Sequence, residues 1–86
     1  MTKRSIRINL QSGLEASPVA LLVQEASKYE STIYIQSGDK RVNAKSIMGM
    51  MSLGLDNGEQ LEVTAEGTDE EAAVEGIDHF LSRKEA

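Results

Sequence analysis

The sequence of 86 residues contains no cysteine, one histidine, and only two tyrosines and one phenylalanine as aromatic residues. Without cysteine there is no disulfide, no thiolate metal site and no thiol nucleophile. A single histidine cannot form a metal site of several imidazoles. The longest apolar run, Val19–Val23, is far shorter than the ~20 residues that a membrane-spanning helix needs. We therefore expect no metal, no cofactor and no membrane segment.

The charge of the sequence is divided unequally between its two halves. Residues 1–45 carry a balance of +3 and residues 46–86 a balance of −8, which gives the net charge of −5. Proteins that bind nucleic acid usually have a basic surface with stacking aromatic residues. This sequence has a net negative charge and only three aromatic residues, so we expect protein partners rather than direct binding to nucleic acid. The length indicates a single domain over residues 1–86, and the basic N-terminus lacks the apolar segment of a signal peptide, so we expect a cytoplasmic protein.

Four segments alternate apolar and polar residues with a period of two, which predicts half-buried strands. The apolar positions are Ile6, Ile8 and Leu10 in the first segment, Ile33 and Ile35 in the second, and Leu61, Val63 and Ala65 in the fourth. The third segment is the short stretch Arg41–Ala44. The turn residues 37–40 predict a hairpin between the second and third strands. One apolar and one polar face on each strand predict an antiparallel sheet that is covered on one side only.

Three helical segments lie between and after these strands. Ser17 and Pro18 have the pattern of a cap and a first helical residue. A shorter helix is predicted from Ser46 to about Leu53. The last helix follows Thr68–Glu71, which has the pattern of a capping box. The predicted buried stripes are Val19, Leu22, Val23 and Ala26 in the first helix, and Ala73, Ile77, Phe80 and Leu81 in the last. Gly76, inside the last helix, indicates close packing.

The segment Asn43–Gly54 contains three of the four methionines. One interpretation is a core helix filled with adaptable side chains, and the other is an exposed apolar patch for a protein partner. A short helix cannot bury all of its large apolar residues on one side, so we expect part of this surface to face water. The residues concerned are Ile47, Met48, Met50 and Met51.

Four further residues have a candidate role. Ser46 is either an ordinary N-cap or a phosphorylation site, because a phosphate there would meet the free N–H groups of the helix start. Glu15 is favoured electrostatically near a helix N-terminus. As a catalytic acid or base it would need a second group, for which Ser17 is the nearby candidate. His79 is predicted to be a surface residue. The sequence therefore predicts no catalytic residue.

The whole sequence resembles the HPr family, the small phosphocarriers of the bacterial sugar phosphotransferase system. The segment Asn43–Gly54 is similar to the regulatory-serine segment of that family. The family's other motif is a glycine, an aliphatic residue and then His-Ala-Arg-Pro. Here it is Gly13-Leu14-Glu15-Ala16-Ser17-Pro18, with Glu15 in place of the histidine and Ser17 in place of the arginine. The resemblance implies a degenerate phosphotransfer site, since a carboxylate does not reproduce a phosphoimidazole and the arginine's charge is lost.

With its serine segment intact, the sequence is similar to the Crh-type branch of the family, which serves catabolite repression and also lacks the histidine. This resemblance implies an α+β fold, the open-faced β-sandwich of four antiparallel strands with three helices on one face (β-α-β-β-α-β-α). It implies that HPr kinase/phosphorylase phosphorylates Ser46 and that the phosphoprotein is a corepressor of the transcription factor catabolite control protein A. The implied partner surface consists of Lys45, Ile47, Met48 and Met51.

Two alternatives stay open. The first is an HPr-like interaction protein that has lost phosphate-dependent signalling and in which Glu15 weakly mimics the phosphorylated histidine. It arises because Crh-type relatives generally keep an arginine at the position of Ser17. The second is an enzyme that uses Glu15, which would need a second catalytic group and a pocket.

Overall fold

The computed structural model describes residues 1–9, 16–53 and 58–82, and for residues 16–18 it describes the backbone alone. The described residues form four strands and three helices in the predicted order. They are β1 (Thr2–Arg7), α1 (Ala16–Ser27), β2 (Thr32–Ser37), β3 (Lys40–Asn43), α2 (Ile47–Leu53), β4 (Gln60–Glu66) and α3 (Glu70–Ser82).

The four strands form one sheet in the order β1-β4-β2-β3, and every neighbouring pair is antiparallel. The register places Ile6 opposite Leu61. It also places Val63 of β4 opposite Ile35 of β2. Because alternate side chains of a strand point to the same face, these apolar residues share one side of the sheet. The predicted antiparallel sheet is confirmed.

The helices cover this apolar side, and the core lies between the two layers. The buried core residues of the strands are Ile6, Ile33, Ile35, Leu61, Val63 and Ala65, and those of the helices include Leu22, Ala26, Met50, Ala73, Val74, Ile77 and Leu81. The other side of the sheet is polar. There the guanidinium of Arg41 lies 4.4 Å from the centre of the Tyr34 ring. The open-faced arrangement that the sequence and the resemblance predicted is confirmed.

The ends of β1 and α1 differ from the prediction. β1 ends at Arg7, yet Ile8 is buried and stays paired, since its N–H donates to the Glu59 carbonyl at 2.9 Å. Leu10 lies outside the described residues. The helix α1 begins at Ala16, so Ser17 is its second residue and not its cap. Pro18 is tolerated there because the N–H groups of the first turn have no partner inside the helix.

The start of α3 also differs from the prediction by one residue. The helix begins at Glu70, and the carbonyl of Asp69 accepts its first hydrogen bond from Ala73 N–H at 2.8 Å. The carboxylate that reaches back is that of Glu70, whose Oε1 accepts from Gly67 N–H at 3.2 Å. The predicted capping box of Thr68 and Glu71 is therefore wrong in its position, because the chain turns into the helix one residue later.

Close packing at Gly76 is confirmed. A Cβ atom added there would meet the hydroxyl of Tyr29 and would lie 2.9 Å from Glu25 Oε2. The Tyr29 hydroxyl donates to the same Glu25 oxygen at 3.1 Å, so α1 and α3 approach each other at this point. Phe80, predicted to be buried, packs against the core while partly exposed. None of the helices in the described ranges has the length and hydrophobicity of a membrane-spanning segment.

Candidate functional site

Ser46 directly precedes α2 and caps it. Its carbonyl accepts the first helical hydrogen bond from Met50 N–H at 2.9 Å, and its Oγ accepts from Gly49 N–H at 3.2 Å. These are the two bonds that define an N-cap serine. Ser46 is exposed, so its hydroxyl lies at the surface. The predicted cap is confirmed, and phosphorylation of Ser46 stays a prediction.

The turn before α2 is held by its own polar groups. The side-chain oxygen of Asn43 accepts from Lys45 N–H at 2.8 Å, and the Asn43 carbonyl accepts from Ser46 N–H at 3.0 Å. Such side-chain bonds to the following backbone are typical of asparagine in turns. Ala44 is buried between these residues, and its N–H donates to the Ile33 carbonyl at 2.9 Å. Ser46 therefore projects from a fixed turn.

The absence of a side chain at Gly49 leaves room beside the Ser46 hydroxyl. A Cβ atom at Gly49 would lie 3.4 Å from Ser46 Oγ and 3.3 Å from the Cβ of Val42. The missing side chain lets the first turn of α2 pack against β3. The backbone N–H of Gly49 donates to Ser46 Oγ at 3.2 Å.

Lys45 has a partner inside the protein. Its Nζ donates to the carbonyl of Tyr29 at 2.7 Å, in a partly buried position. Tyr29 lies two residues after the end of α1, where backbone carbonyls carry partial negative charge that favours a cation. Lys45 thus ties the turn before Ser46 to the end of α1. Its predicted contact with a partner protein stays a prediction.

The helix α2 divides its large apolar residues between core and solvent. Met50 is 1% exposed, whereas Ile47 is 45%, Met48 is 81% and Met51 is 54% exposed. Residues 47, 48 and 51 share a face because Met51 follows Ile47 by four positions and Met48 by three on the helix. We call Ile47, Met48 and Met51 the methionine patch. Both interpretations of the methionine cluster therefore hold in part, and the expectation that some of it faces water is confirmed.

The degenerate phosphotransfer motif contains Glu15 and Ser17. Glu15 falls outside the described residues, and Ser17 lies in the first turn of α1 with its side chain undescribed. His79 is exposed on α3, as predicted. Across residues 1–9, 16–53 and 58–82, no group of three or more histidine or acidic side chains is placed to hold a metal ion.

Two carboxylates at the start of α3, those of Asp69 and Glu70, have lowered pKa values. The hydroxyl of Thr2 donates to Glu70 Oε2 at 2.6 Å, and the N-terminal amine lies 2.9 Å from the same oxygen. These contacts, with the Gly67 N–H bond, lower the pKa of Glu70 to about 2. The interaction joins β1 to α3.

Asp69 accepts three hydrogen bonds from the turn between α1 and β2. The donors are the Ser31 hydroxyl, Ser31 N–H at 2.9 Å and Glu30 N–H at 2.9 Å. The Ser31 hydroxyl and these backbone donors hold the pKa of Asp69 below its ordinary value. Because all three donors belong to this chain itself, we interpret the carboxylate of Asp69 as structural.

The family of the chain follows from its sequence. The profile of the family described as "PTS HPr component phosphorylation site" matches residues 2–83. The chain belongs to the HPr family. The HPr-like protein Crh of Halalkalibacterium halodurans is 42% identical to this chain over 84 residues, which cover 98% of this chain and 100% of that protein.

Solved HPr structures have the same fold. The crystal structure of the phosphocarrier protein HPr from Bacillus anthracis has a TM-score of 0.90 and 41% identity, over 93% of this chain and 95% of that one. The crystal structure of Crh, the catabolite repression protein of Bacillus subtilis, has a TM-score of 0.77 and 37% identity, over 100% of this chain and 99% of that one. The predicted family, its Crh-type branch and the fold class are confirmed.

This HPr homologue is therefore Crh-like and is an HPr-like regulatory protein. Proteins of this kind are phosphocarriers or regulators rather than enzymes. They work in phosphotransferase and catabolite-repression signalling, for which protein partners are the expected contacts.

One feature of the surroundings of Ser46 has no sequence pattern that predicts it. The carbonyl of Tyr29 accepts from Lys45 Nζ, and a backbone carbonyl has no side-chain signature. Leu21 of α1 is a further exposed hydrophobic residue, and it lies outside the predicted buried stripe of that helix.

Proposed function

We propose that this chain is a non-catalytic Crh-like regulator that HPr kinase/phosphorylase phosphorylates on Ser46. The phosphorylated protein then acts as corepressor of a transcription factor of the catabolite control protein A type. The observation that carries the proposal is the position of Ser46, which is exposed at the start of α2 and adjoins the methionine patch. We further propose that residues 1–86 act as one domain in the cytoplasm.

A phosphate on Ser46 suits the local structure. The hydroxyl already accepts a hydrogen bond from Gly49 N–H, and phosphate oxygens are stronger acceptors in the same place. The first N–H groups of a helix lack partners within it, and the helix dipole favours negative charge at that end. We therefore expect the modification to leave α2 folded.

The same arrangement offers a partner two separate signals. A phosphoserine presents charge to an arginine or lysine of the partner. The methionine patch presents flexible thioethers to an apolar pocket. Recognition would then need both the modification and the patch, which fits a corepressor that acts only when phosphorylated.

Histidine phosphotransfer is not part of the proposed function. Glu15 stands where the HPr motif has its phosphate-carrying histidine, and Ser17 stands where it has arginine. We expect no phosphate transfer from phosphoenolpyruvate and enzyme I of the phosphotransferase system. A Glu15→His change alone should restore little transfer, since Ser17 supplies no positive charge.

The decisive experiment is incubation with HPr kinase and ATP, read by intact mass. We expect a gain of one phosphate, its loss in Ser46→Ala, and an unchanged circular dichroism spectrum. Ser52→Ala is the matched control, because Ser52 is an exposed serine of the same helix whose hydroxyl donates to the Gly49 carbonyl at 2.6 Å. It should be phosphorylated like the unaltered protein. A phosphate mapped to Ser52, a melted helix, or no phosphate at all would contradict the proposal.

A second candidate function rests on Ser17, which departs from the arginine of Crh-type relatives. In this alternative, the unmodified chain binds a phosphotransferase-type partner and Glu15 takes the place of a phosphorylated histidine. Glu15→Gln would then weaken that binding while Ser46→Ala would leave it unchanged. The opposite pattern, with binding dependent on phosphorylated Ser46, would favour the corepressor function.

A further inference from the structure

The methionines of α2 differ sharply in access to solvent although they are neighbours in sequence. Met48 and Met51 are 81% and 54% exposed, and Met50 is 1% exposed in the core. Met1, directly before β1, is 74% exposed and provides a reference for an accessible methionine. The difference within α2 follows from helix geometry, because residue 50 projects from the opposite side to residues 48 and 51.

An accessible thioether reacts with two-electron oxidants such as hydroperoxides. The sulfur attacks one peroxide oxygen, the O–O bond breaks, and a bond between sulfur and oxygen forms. The sulfur loses two electrons, the peroxide is reduced to water or an alcohol, and the proton of the transferred hydroxyl goes to the leaving oxygen. The product is methionine sulfoxide, a polar side chain that enzymes can reduce again.

We propose that Met48 and Met51 form an oxidation-sensitive modification site whose conversion to sulfoxides by hydroperoxides makes the methionine patch polar and blocks its docking. The selective oxidation follows from the exposure of the two side chains. The loss of docking rests on the function proposed above, in which the patch contacts the repressor.

The physical reason for the loss of docking is desolvation. Each sulfoxide adds a strong hydrogen-bond acceptor to a surface that a partner would cover with apolar side chains. An acceptor that is buried without a donor opposes association. The thioethers of the reduced patch impose no comparable penalty.

The fold should survive the oxidation. The bonds that fix the start of α2 are those of Ser46, Gly49 and Asn43, and none of them uses a thioether. Met50, the methionine that anchors α2 in the core, is shielded. It reacts only when α2 opens, and every ~1.4 kcal/mol of opening free energy slows its oxidation about tenfold.

The first test treats the unphosphorylated full chain with hydrogen peroxide and follows each methionine by peptide mapping. We expect Met48 and Met51 to be oxidised at rates comparable to that of Met1, and Met50 at least about tenfold more slowly. Retention on a hydrophobic column should fall while circular dichroism stays unchanged. Oxidation of Met50 together with its neighbours, or unfolding of the oxidised chain, would overturn the proposal.

The matched control is the double variant Met48→Leu, Met51→Leu, which keeps an apolar patch that peroxide does not oxidise. Its column retention should fall less than that of the unaltered chain, since Met1 alone of the exposed methionines is still oxidised. A fall in retention equal to that of the unaltered chain would show that Met48 and Met51 are not the responsible residues, and would overturn the proposal.

The second test measures repressor binding by the protein phosphorylated on Ser46, before and after peroxide. Oxidation should weaken binding about tenfold, as expected for loss of central interface contacts. Methionine sulfoxide reductases of both stereospecificities should restore it, and the double leucine variant should bind equally before and after peroxide. Equal binding by the oxidised and reduced unaltered protein would overturn the blocked docking. If the reduced phosphoprotein does not bind at all, the proposed function is wrong, and peptide mapping with column retention still decides the modification site.

Discussion

The starts of α2 and α3 are both capped helix ends, yet their polar groups serve opposite purposes. At α3, Asp69 and Glu70 accept hydrogen bonds from the N-terminus, from Thr2 and from the turn that contains Ser31. At α2, Ser46 is exposed and caps its own helix through Gly49. The start of α3 joins distant parts of the chain, and the start of α2 remains available at the surface. A capping pattern alone therefore does not indicate whether a helix end is structural or functional.

The glycines beside the two helix starts should show the largest contrast. A Cβ atom at Gly67 would lie 2.7 Å from the Cα of Ser31, and Gly67 has a φ of +154°. Because backbone cannot move aside cheaply, Gly67→Ala should lower the free energy of unfolding by about 2 kcal/mol or more. Gly49→Ala, at the start of α2, should change it by less than about 1 kcal/mol, since its nearest contact is 3.3 Å. Urea unfolding measures both, and equal losses would remove the contrast.

The second effect in size concerns binding at the start of α2. Met48→Asp should weaken binding of the phosphorylated protein to a catabolite-control-type repressor by more than ~1 kcal/mol. Its thermal stability should stay within ~0.5 kcal/mol, because Met48 is an exposed residue. Titration calorimetry and thermal unfolding provide the two values. If Met48→Asp unfolds the protein, Met48 belongs to the core and the methionine patch is not a docking surface.

The bond of Lys45 tests how firmly the turn before Ser46 is held. Lys45→Met removes the hydrogen bond to the Tyr29 carbonyl but keeps an apolar stem of similar length. We expect a loss of about 1 kcal/mol in the free energy of unfolding. Lys40→Met is the matched control, since Lys40 Nζ lies 3.4 Å from the Ser52 carbonyl in an exposed position, and it should cost less than ~0.5 kcal/mol. A Lys45 variant as stable as the control would indicate that Lys45 is free for a partner.

The smallest effect is the acid dependence of the α3 start, because its ion pair is partly exposed and screened by solvent. The pKa of Glu70 is lowered from 4.5 to about 2 in the folded protein. Its contribution is therefore present above about pH 4.5 and is lost as the pH falls toward 2.

Acid unfolding at low salt checks this prediction. Glu70→Gln should flatten the dependence of stability on pH between about 4.5 and 2. Ser46→Ala should leave it unchanged, since the serine hydroxyl does not titrate in that range. If Glu70→Gln keeps the full dependence of stability on pH, other carboxylates are responsible for that dependence.

The strands, the helices and the Ser46 cap could be predicted because their determinants are local. Alternation in β2 and β4, and the spacing of Ile77 and Leu81 in α3, place the same residues in the core that the structure buries. From the residue pattern alone, the exposure of Met48 could be expected only as part of a group of four, since the orientation of α2 depends on how Met50 meets its neighbours. The resemblance to the family separated Ile47, Met48 and Met51 from Met50.

The start of α3 could not be placed correctly because its determinants are distant in sequence. Asp69 is bound by donors that lie 38 and 39 residues earlier in the chain. A local sequence motif cannot show that these distant donors bind the Asp69 carboxylate. The same holds for Lys45, whose acceptor is a backbone carbonyl 16 residues away and has no residue type to recognise.

Tyr29 is held from two directions, and this limits what alanine scanning can show about it. Its hydroxyl contacts Glu25 and lies against Gly76 of α3, while its carbonyl accepts from Lys45. Tyr29→Ala deletes the ring and the hydroxyl, but every variant of residue 29 retains the carbonyl. The scan would therefore assign Tyr29 to the contact between α1 and α3 alone. The backbone half of its role, which supports the turn before Ser46, becomes measurable only through substitutions of Lys45.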